Sequence, residues 1–374
     1  LFRRLVPALL VLLLCAGSAH AAPRLRIGFD DDTLKWMTHP NGLVAVDRQL
    51  GATFTRITIP WHQGETRLRP VVRTWMRRAR RALALHQKVI LAVYGDASEA
   101  PTTASARDEY CAFTRRLLKA APNLAAIVIW NEANSSRYWP PASGAAGYEA
   151  LLAQCWDVLH AVKSTVNVID STASHHDPAG FIRALGAAYR ASGRDRPIVD
   201  TFGHNPYPES ASEDPWATHP PGRSIGEGDY ARLLDALTEA FQFTAQRVPS
   251  ASWTRLWYLE DGFQTAVPWT LEPLYTGREN DRHVLPVLTF GDGKTQSEQL
   301  VDAISLAYCQ PAVGAFFNFE LFDEHRLGGW QSGVLYTNGV RKASFTAFKQ
   351  IAVLSARGAI DCTSIRGAPT KTPP

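Results

Sequence analysis

Ile127-Val128-Ile129-Trp130-Asn131-Glu132-Ala133-Asn134 is the stretch on which the fold turns. An unbroken apolar run stops abruptly at an amide and a carboxylate. A run this short, continuous rather than alternating, suits a strand covered on both faces, as in parallel sheets. Asn131 and Glu132 then stand at its C-terminal end. Taken alone, the pair also fits a helix N-cap.

Working outward, runs of the same kind recur at Leu25 to Phe29, Thr53 to Pro60, Val89 to Tyr94, Ala126 to Trp130, Val166 to Asp170, Ile198 to Phe202, Leu256 to Leu259 and Val313 to Phe319. Between them, Arg73 to His86, Asp108 to Ala120, Tyr148 to Lys163, Gly180 to Tyr189, Tyr230 to Gln242 and Glu298 to Tyr308 place apolar residues at helical spacing. This alternation predicts an α/β chain folded as a (β/α)8 TIM barrel. A doubly wound open sheet is the rival, but no Gly-rich dinucleotide fingerprint follows an early strand. The chain has 374 residues, 45% of them hydrophobic, enough for one large core. We expect one catalytic barrel over residues 22–356 and a polar, Pro-rich tail over 357–374. Long loops are expected at 206–228 and 268–294, on the side where barrels build their sites.

Residues 1–21 read as a secretory signal. Arg3 and Arg4 give the charged region, Leu5 to Leu14 the apolar one, and Ala19-His20-Ala21 the cleavage site. The apolar run is shorter than the ~20 residues a membrane span needs. A lipid anchor on Cys15 is the alternative, with bulky Leu14 before it counting against it. The net charge is +4, and two of those charges are Arg3 and Arg4, so no nucleic acid or other polyanion partner is implied. Cys111, Cys155, Cys309 and Cys362 remain after Cys15, an even number in an exported chain. Sequential barrel helices are neighbours, so the pairing of shortest reach is Cys111 with Cys155 and Cys309 with Cys362. Buried free thiols are the other reading.

The chemistry turns on a second strand end. Leu256-Trp257-Tyr258-Leu259-Glu260-Asp261-Gly262 runs from the seventh predicted strand into carboxylates. The C-terminal strand ends of a parallel barrel share one mouth, so Glu132 and Glu260 would face one another there. Cleavage of a glycosidic bond needs such a pair. One carboxyl protonates the leaving oxygen, and the other attacks the anomeric carbon or activates water.

These segments resemble the clan of retaining (β/α)8 glycosidases that includes the family 5 and family 39 hydrolases. Trp130-Asn131-Glu132-Ala133-Asn134 with Tyr138-Trp139 is similar to the Trp-Asn-Glu-Pro-Asn…Phe-Trp segment of family 39-like proteins, with Ala133 in place of Pro. Arg56 matches the clan's strand-two arginine, and His204-Asn205-Pro206-Tyr207 its strand-six His and Tyr. Gly329-Trp330-Gln331-Ser332-Gly333 through Lys342 and Phe348 resembles its closing segment. Asp261 stands where an aromatic or small residue is commoner, and Phe317 and Phe319 where a Trp is. The resemblance covers about residues 25 to 350. It implies a carbohydrate substrate with β linkages, Glu132 as acid/base and Glu260 as nucleophile.

Roles for the neighbours follow. Arg56 would keep Glu260 ionised, and Glu260's charge together with burial would keep Glu132 protonated. Asn131 would bond the sugar 2-hydroxyl, and Tyr207 would donate to the nucleophile. Trp61, Trp139 and Trp330, near strand-to-helix loops, are candidate sugar platforms, while Trp130 and Trp257 belong to the core. His175 and His204 are candidate sugar contacts. His175-His176-Asp177 also suggests a metal, but adjacent histidines in extended chain point to opposite sides. No metal or cofactor is expected, and Glu320, Asp323 and Glu324 read as either a substrate rim or a solvated loop. The expectation is a secreted, monomeric glycoside hydrolase that has no membrane contact once the signal is removed. A non-catalytic carbohydrate-binding barrel and a metal-dependent hydrolase are the alternatives.

Overall fold

Most barrel strands are runs whose two faces meet two different cores. The computed structural model describes residues 25–276 and 295–369. Its strands are β1 (Arg26–Asp30), β2 (Phe54–Pro60), β3 (Lys88–Tyr94), β4 (Ala126–Ile129), β5 (Val168–Ile169), β6 (Thr172–Ala173), β7 (Phe202–Asn205), β8 (Leu256–Asp261) and β9 (Val313–Phe319). Ile90, Ala92, Ala126, Val128, Trp257, Leu259, Ala315 and Phe317 fill the barrel interior. Alternate residues such as Val89, Leu91, Val93, Ile127 and Ile129 face the helices. Side chains of a strand point to opposite faces in turn, so a continuous apolar run satisfies both cores at once.

The strands are all parallel, in the order β5-β4-β3-β2-β1-β9-β8-β7-β6. β5 and β6 are two halves of one barrel strand: the first pairs β4, the second pairs β7, and Ile169 bridges Thr201. The ring therefore closes with eight barrel positions, of which β7, β8 and β9 are the sixth, seventh and eighth. The predicted barrel stands, and the open sheet is excluded.

The helices are α1 (Thr33–Trp36), α2 (Asn41–Leu50), α3 (Pro70–Ala84), α4 (Ala104–Ala120), α5 (Gly144–His160), α6 (Pro178–Ala191), α7 (Tyr230–Phe241), α8 (Gln296–Cys309) and α9 (Ser344–Arg357). Their starts follow local chemistry. Thr103 caps α4 through the Ala106 amide, and Asp177 caps α6 through that of Gly180. Thr295 and Glu298 form a reciprocal capping box on α8. The α2 and α9 segments were not anticipated.

The sixth strand lies four residues further on than its apolar run, at Phe202–Asn205 rather than from Ile198. The Ile198 and Val199 amides bond the Gln246 side chain, at 2.8 and 3.1 Å, instead of a ladder. The fifth strand is broken at Asp170-Ser171. Asp170 Oδ1 there accepts the Gly203 amide at 2.7 Å, and Ser171 turns to the site.

Cys111 and Cys155 join α4 to α5, and Cys309 and Cys362 join α8 to the segment after α9, as paired from the sequence. No helix among the described residues is long and apolar enough to cross a membrane. The proposed signal and residues 277–294 of the expected loop lie outside the described residues. Part of the tail is docked, with the Arg366 guanidinium 4.9 Å over the Trp216 ring.

Candidate active site

The turn that carries Glu132 is strained and held from below. Trp130 and Glu132 have φ of 65° and 41°, in the left-handed region that side-chain-bearing residues rarely enter. Two buried tyrosines fix its base. The Tyr110 hydroxyl donates to the Val93 carbonyl at 2.6 Å and accepts the Trp130 amide at 3.1 Å. The Tyr148 hydroxyl donates to the Ile129 carbonyl at 2.8 Å and accepts the Ser171 amide at 3.1 Å. Ser171, in the break of the fifth strand, returns the favour to the turn. Its Oγ accepts the Glu132 amide at 3.2 Å and donates to Asn131 Oδ1 at 3.4 Å, while its carbonyl accepts the Ala133 amide at 3.1 Å. Asn134 clamps the far side through both the amide and the carbonyl of Ala173.

Glu260 reaches the same mouth by a different device. Trp257 and Leu259 point into the barrel, so strict alternation would send Glu260 outward. The β8–β9 register shifts between Tyr258 and Asp261, and a bulge of this kind re-aims side chains. Glu260 Oε1 lies 2.7 Å from Arg56 Nη1, and Oε2 accepts the Tyr207 hydroxyl at 3.3 Å. Asp261 is turned away. It is buried, accepts the Gly262 amide at 2.8 Å, and faces Glu227 and Glu213. Burial raises its carboxyl well above the usual range.

Arg56 is fully buried and links the parts. Its Nη1 also bonds Asp30, and its Nη2 donates to Asn131 Oδ1 at 3.2 Å. Burial works against its charge, but Asp30 and Glu260 outweigh burial, so its proton is held more tightly than usual. Asp30 is raised well above the ordinary carboxylate range by burial, with Arg56 opposing and Glu260 adding to the rise.

Glu132 is half-buried, and Asn205 Nδ2 donates to its Oε1 at 3.0 Å. Burial first, and then the negative charge of Glu260, push its carboxyl up to about 7. The Asn205 hydrogen bond and the charges of Arg56 and Arg137 pull the other way. The pair thus has unlike partners. Glu260 has a fixed cation at contact, and Glu132 has an amide donor. Environments that push two carboxyls apart are how one site holds an acid beside a nucleophile.

Aromatic rings flank the pair on two sides. Tyr207 lies 5.3 Å from Trp330 between ring centroids, and Phe319 lies 5.4 Å from Trp330, so these three gather beside Glu260. Tyr94, at the end of β3, packs edge-on against Tyr138 at 5.5 Å beside Glu132.

Three of the residues singled out in the sequence lie elsewhere. Trp61 is fully buried against Tyr110 and Trp130, and its Nε1 donates to the Glu65 carbonyl at 2.8 Å. Trp139 is buried between Trp130 and Tyr148, with its Nε1 on the Gly144 carbonyl at 2.9 Å. Neither ring has a face left for a sugar. Both instead wall in the strained turn. His204 points out of the barrel, its Nδ1 with Thr172 Oγ1 at 2.9 Å and its Nε2 with the Ile225 carbonyl at 2.8 Å. Burial lowers it to about 4, so it stands neutral and structural. Asn205, one residue on, faces inward in its place. His175 is half-buried, its Nδ1 2.9 Å from Ser224 Oγ in the β7–α7 loop.

The His175-His176-Asp177 metal set does not converge on His204, since both nitrogens of that ring are occupied. Glu209, Glu213 and His219, in the β7–α7 loop, do bring potential ligand atoms within 4.8 Å of one another. His219 there bridges Asp229 at 2.6 Å and Glu213 at 3.2 Å, an arrangement that holds as an ion-pair cluster. Of the acidic group after β9, Asp323 is buried on Lys342 and Tyr275 and Glu324 accepts the Trp330 amide, so both shape the loop. Asp30, Tyr94 and Asn205 were not singled out from the sequence. A strand-end rule applied to β1, β3 and β7 points at all three.

No family model matches the chain, and no curated protein matches it. Among solved structures it is similar to a GH5_18 protein from Bifidobacterium longum subsp. infantis, at TM-score 0.58 and 14% identity over 88% of this chain and 79% of that one. It is also similar to the GH53 catalytic domain of Ignisphaera aggregans, at TM-score 0.57 and 14% identity over 89% of this chain and 98% of that one. A β-glucuronidase 2 of Bacteroides uniformis matches at TM-score 0.52 and 14% identity, over 87% of this chain. The chain spans only 34% of that protein's length. These neighbours are glycoside hydrolases, in accord with the resemblance read from the strand ends. At such low identity they establish the barrel fold.

Proposed function

We propose that the chain is a secreted, retaining glycoside hydrolase that cleaves a β-linked oligo- or polysaccharide by double displacement. The observation that carries this reading is the asymmetry of the carboxyl pair. Glu132 is pushed up to about 7 while Glu260 lies 2.7 Å from a buried arginine in the same mouth. In the first step Glu260 attacks the anomeric carbon, the bond to the leaving oxygen breaks, and the Glu132 proton passes to that oxygen. In the second, Glu132 takes a proton from water, the water oxygen attacks the same carbon, and the ester to Glu260 breaks. Asn131, held by Arg56 and Ser171, is placed for the sugar 2-hydroxyl. Tyr207, Phe319 and Trp330 offer the apolar wall that a Trp on the eighth strand would otherwise give. Secretion is supported by two disulfides, which persist in oxidising compartments.

The test is hydrolysis of a panel of aryl β-glycosides and β-linked polysaccharides, with Glu260→Ala and Glu132→Ala alongside. Turnover by the parent and none by Glu260→Ala support the reading. Equal turnover by both removes Glu260 from the mechanism.

A further inference from the structure

One flank of the barrel carries a single sign of charge. α3 has no acidic residue, and Arg73, Arg77, Arg80 and Arg81 are exposed along it. Residues three and four apart share a helix face, so these arginines form one stripe, with a rise of ~6 Å from Arg73 to Arg77 and again to Arg81. α4 packs beside α3 and exposes Arg115, Arg116 and Lys119 in its C-terminal half. Its acids, Asp108 and Glu109, lie in the N-terminal half, where they accept the Gln154 side chain and the Gly64 amide. α3 leads into β3 and α4 into β4, so both helices end at the barrel end away from the site mouth.

None of these cations meets a carboxylate among the described residues. Arg73 donates to the Leu68 carbonyl at 2.7 Å, Arg77 to Thr74 Oγ1 at 2.8 Å and Arg81 to the Thr38 carbonyl at 3.2 Å, bonds that steady the stems. Arg80, Arg115, Arg116 and Lys119 make no hydrogen bond or ion pair there. Like charges three or four apart weaken a helix. The helix dipole accounts for Arg81 and Lys119, in the last turns, and not for the rest. The net charge of +4 averages over the whole chain and conceals this face.

Unpaired guanidinium forks match a row of carboxylates or sulfates. A bilayer is flat, whereas closure with eight strands turns neighbouring helices by ~45° about the barrel axis, so a plane cannot meet both stripes squarely. The C-terminal halves of α3 and α4 also expose no large apolar side chain to enter the headgroups. Nor do they expose the aromatic rings on which single-stranded bases stack, and a DNA duplex is stiff. A flexible polysaccharide can follow the curve from one stripe to the other. We infer that the α3–α4 flank docks an anionic polysaccharide through its uronate carboxylates or sulfate esters and leaves the cleft open. The choice of a glycan among flexible polyanions rests on the glycosidase reading.

The test is calorimetric titration of the full chain with polygalacturonate, dextran sulfate and neutral dextran. Vesicles of equimolar phosphatidylcholine and phosphatidylserine and a DNA duplex are run beside them. At least one charged polysaccharide binds, dextran does not, and neither vesicles nor duplex binds as tightly. Raising the salt weakens the binding. Arg77→Gln with Arg116→Gln, one from each stripe, weakens it about tenfold or more, the worth of a charge-assisted pair. Lys349→Gln with Arg357→Gln, which removes as much charge from exposed positions of α9, leaves it unchanged. Which charged polysaccharide responds tells carboxylate from sulfate. No binding of either one at low salt, tighter binding to vesicles or duplex than to both, or an equal loss with the α9 pair overturns the inference. Turnover of a short neutral β-glycoside is read on the same variants and stays at the parent level with Arg77→Gln and Arg116→Gln. If no glycoside is cleaved but binding follows the stripes, the glycosidase reading fails and the docking surface stands. Cleavage without binding that depends on the stripes overturns the docking surface alone.

Discussion

At the scale of single residues, the proposed acid and the proposed nucleophile are set apart by who touches them. Burial and the charge of Glu260 raise Glu132 to about 7. The acid works while protonated, so kcat/KM for an unactivated substrate should fall as pH rises through about 7. The Asn205 hydrogen bond favours the ionised form of Glu132, so Asn205→Ala should raise its pKa and move the basic limb of the pH–rate profile upward. An unmoved or lowered limb would contradict that role. Glu132→Ala should lower kcat/KM by about 10²–10⁴-fold on unactivated glycosides, the usual worth of a general acid. It should spare substrates with good leaving groups, and azide should rescue it by attacking the glycosyl intermediate. Glu132, Glu260, Arg56 and Asn131 were legible because each ends or lies in an apolar run. Asn205 was hidden beside a histidine, and Asp30 within Asp30-Asp31-Asp32, where only the facing of the strand tells neighbours apart.

At the scale of elements, irregularities position the site, and periodicity could not report them. A bulge in β8 turns Glu260 inward, and a gap in the fifth strand frees Ser171 for the Glu132 turn. The sixth strand was misplaced because Ile198 and Val199 are apolar and extended, yet bond a glutamine side chain, while the true strand ends in polar His204 and Asn205. Gly203 marks that strand. A Cβ there would stand 2.2 Å from the Asp170 carbonyl and 2.4 Å from Leu259 Cδ1. Gly203→Ala should therefore cost about 1–3 kcal/mol, the usual cost of overpacking, read from denaturant unfolding. An unchanged midpoint would mean that the barrel opens there to make room. Trp61 and Trp139 show the limit of composition. A tryptophan near a loop suits a sugar platform or a buried wall equally well, and only packing separates the two.

At the scale of the whole molecule, the strand–helix alternation was enough for the barrel, because closure of eight parallel strands depends on the pattern and not on exact strand ends. The disulfides span 44 and 53 residues, so each should stabilise the fold by about 4 kcal/mol on the chain-entropy account. Reduction should lower the melting temperature markedly, and Cys111→Ser with Cys155→Ser should reproduce part of the loss. EDTA should leave turnover unchanged, since each proposed step uses carboxyl groups alone. Loss of activity restored by a divalent cation would shift attention to Glu209, Glu213 and His219. The central claim is that Glu260 bonds the sugar and Glu132 serves both steps. Proton NMR of the first anomer released from a β-linked substrate tests it most directly. The account predicts the β anomer first, appearing before mutarotation and absent with Glu260→Ala; an α anomer formed first would contradict double displacement at this pair.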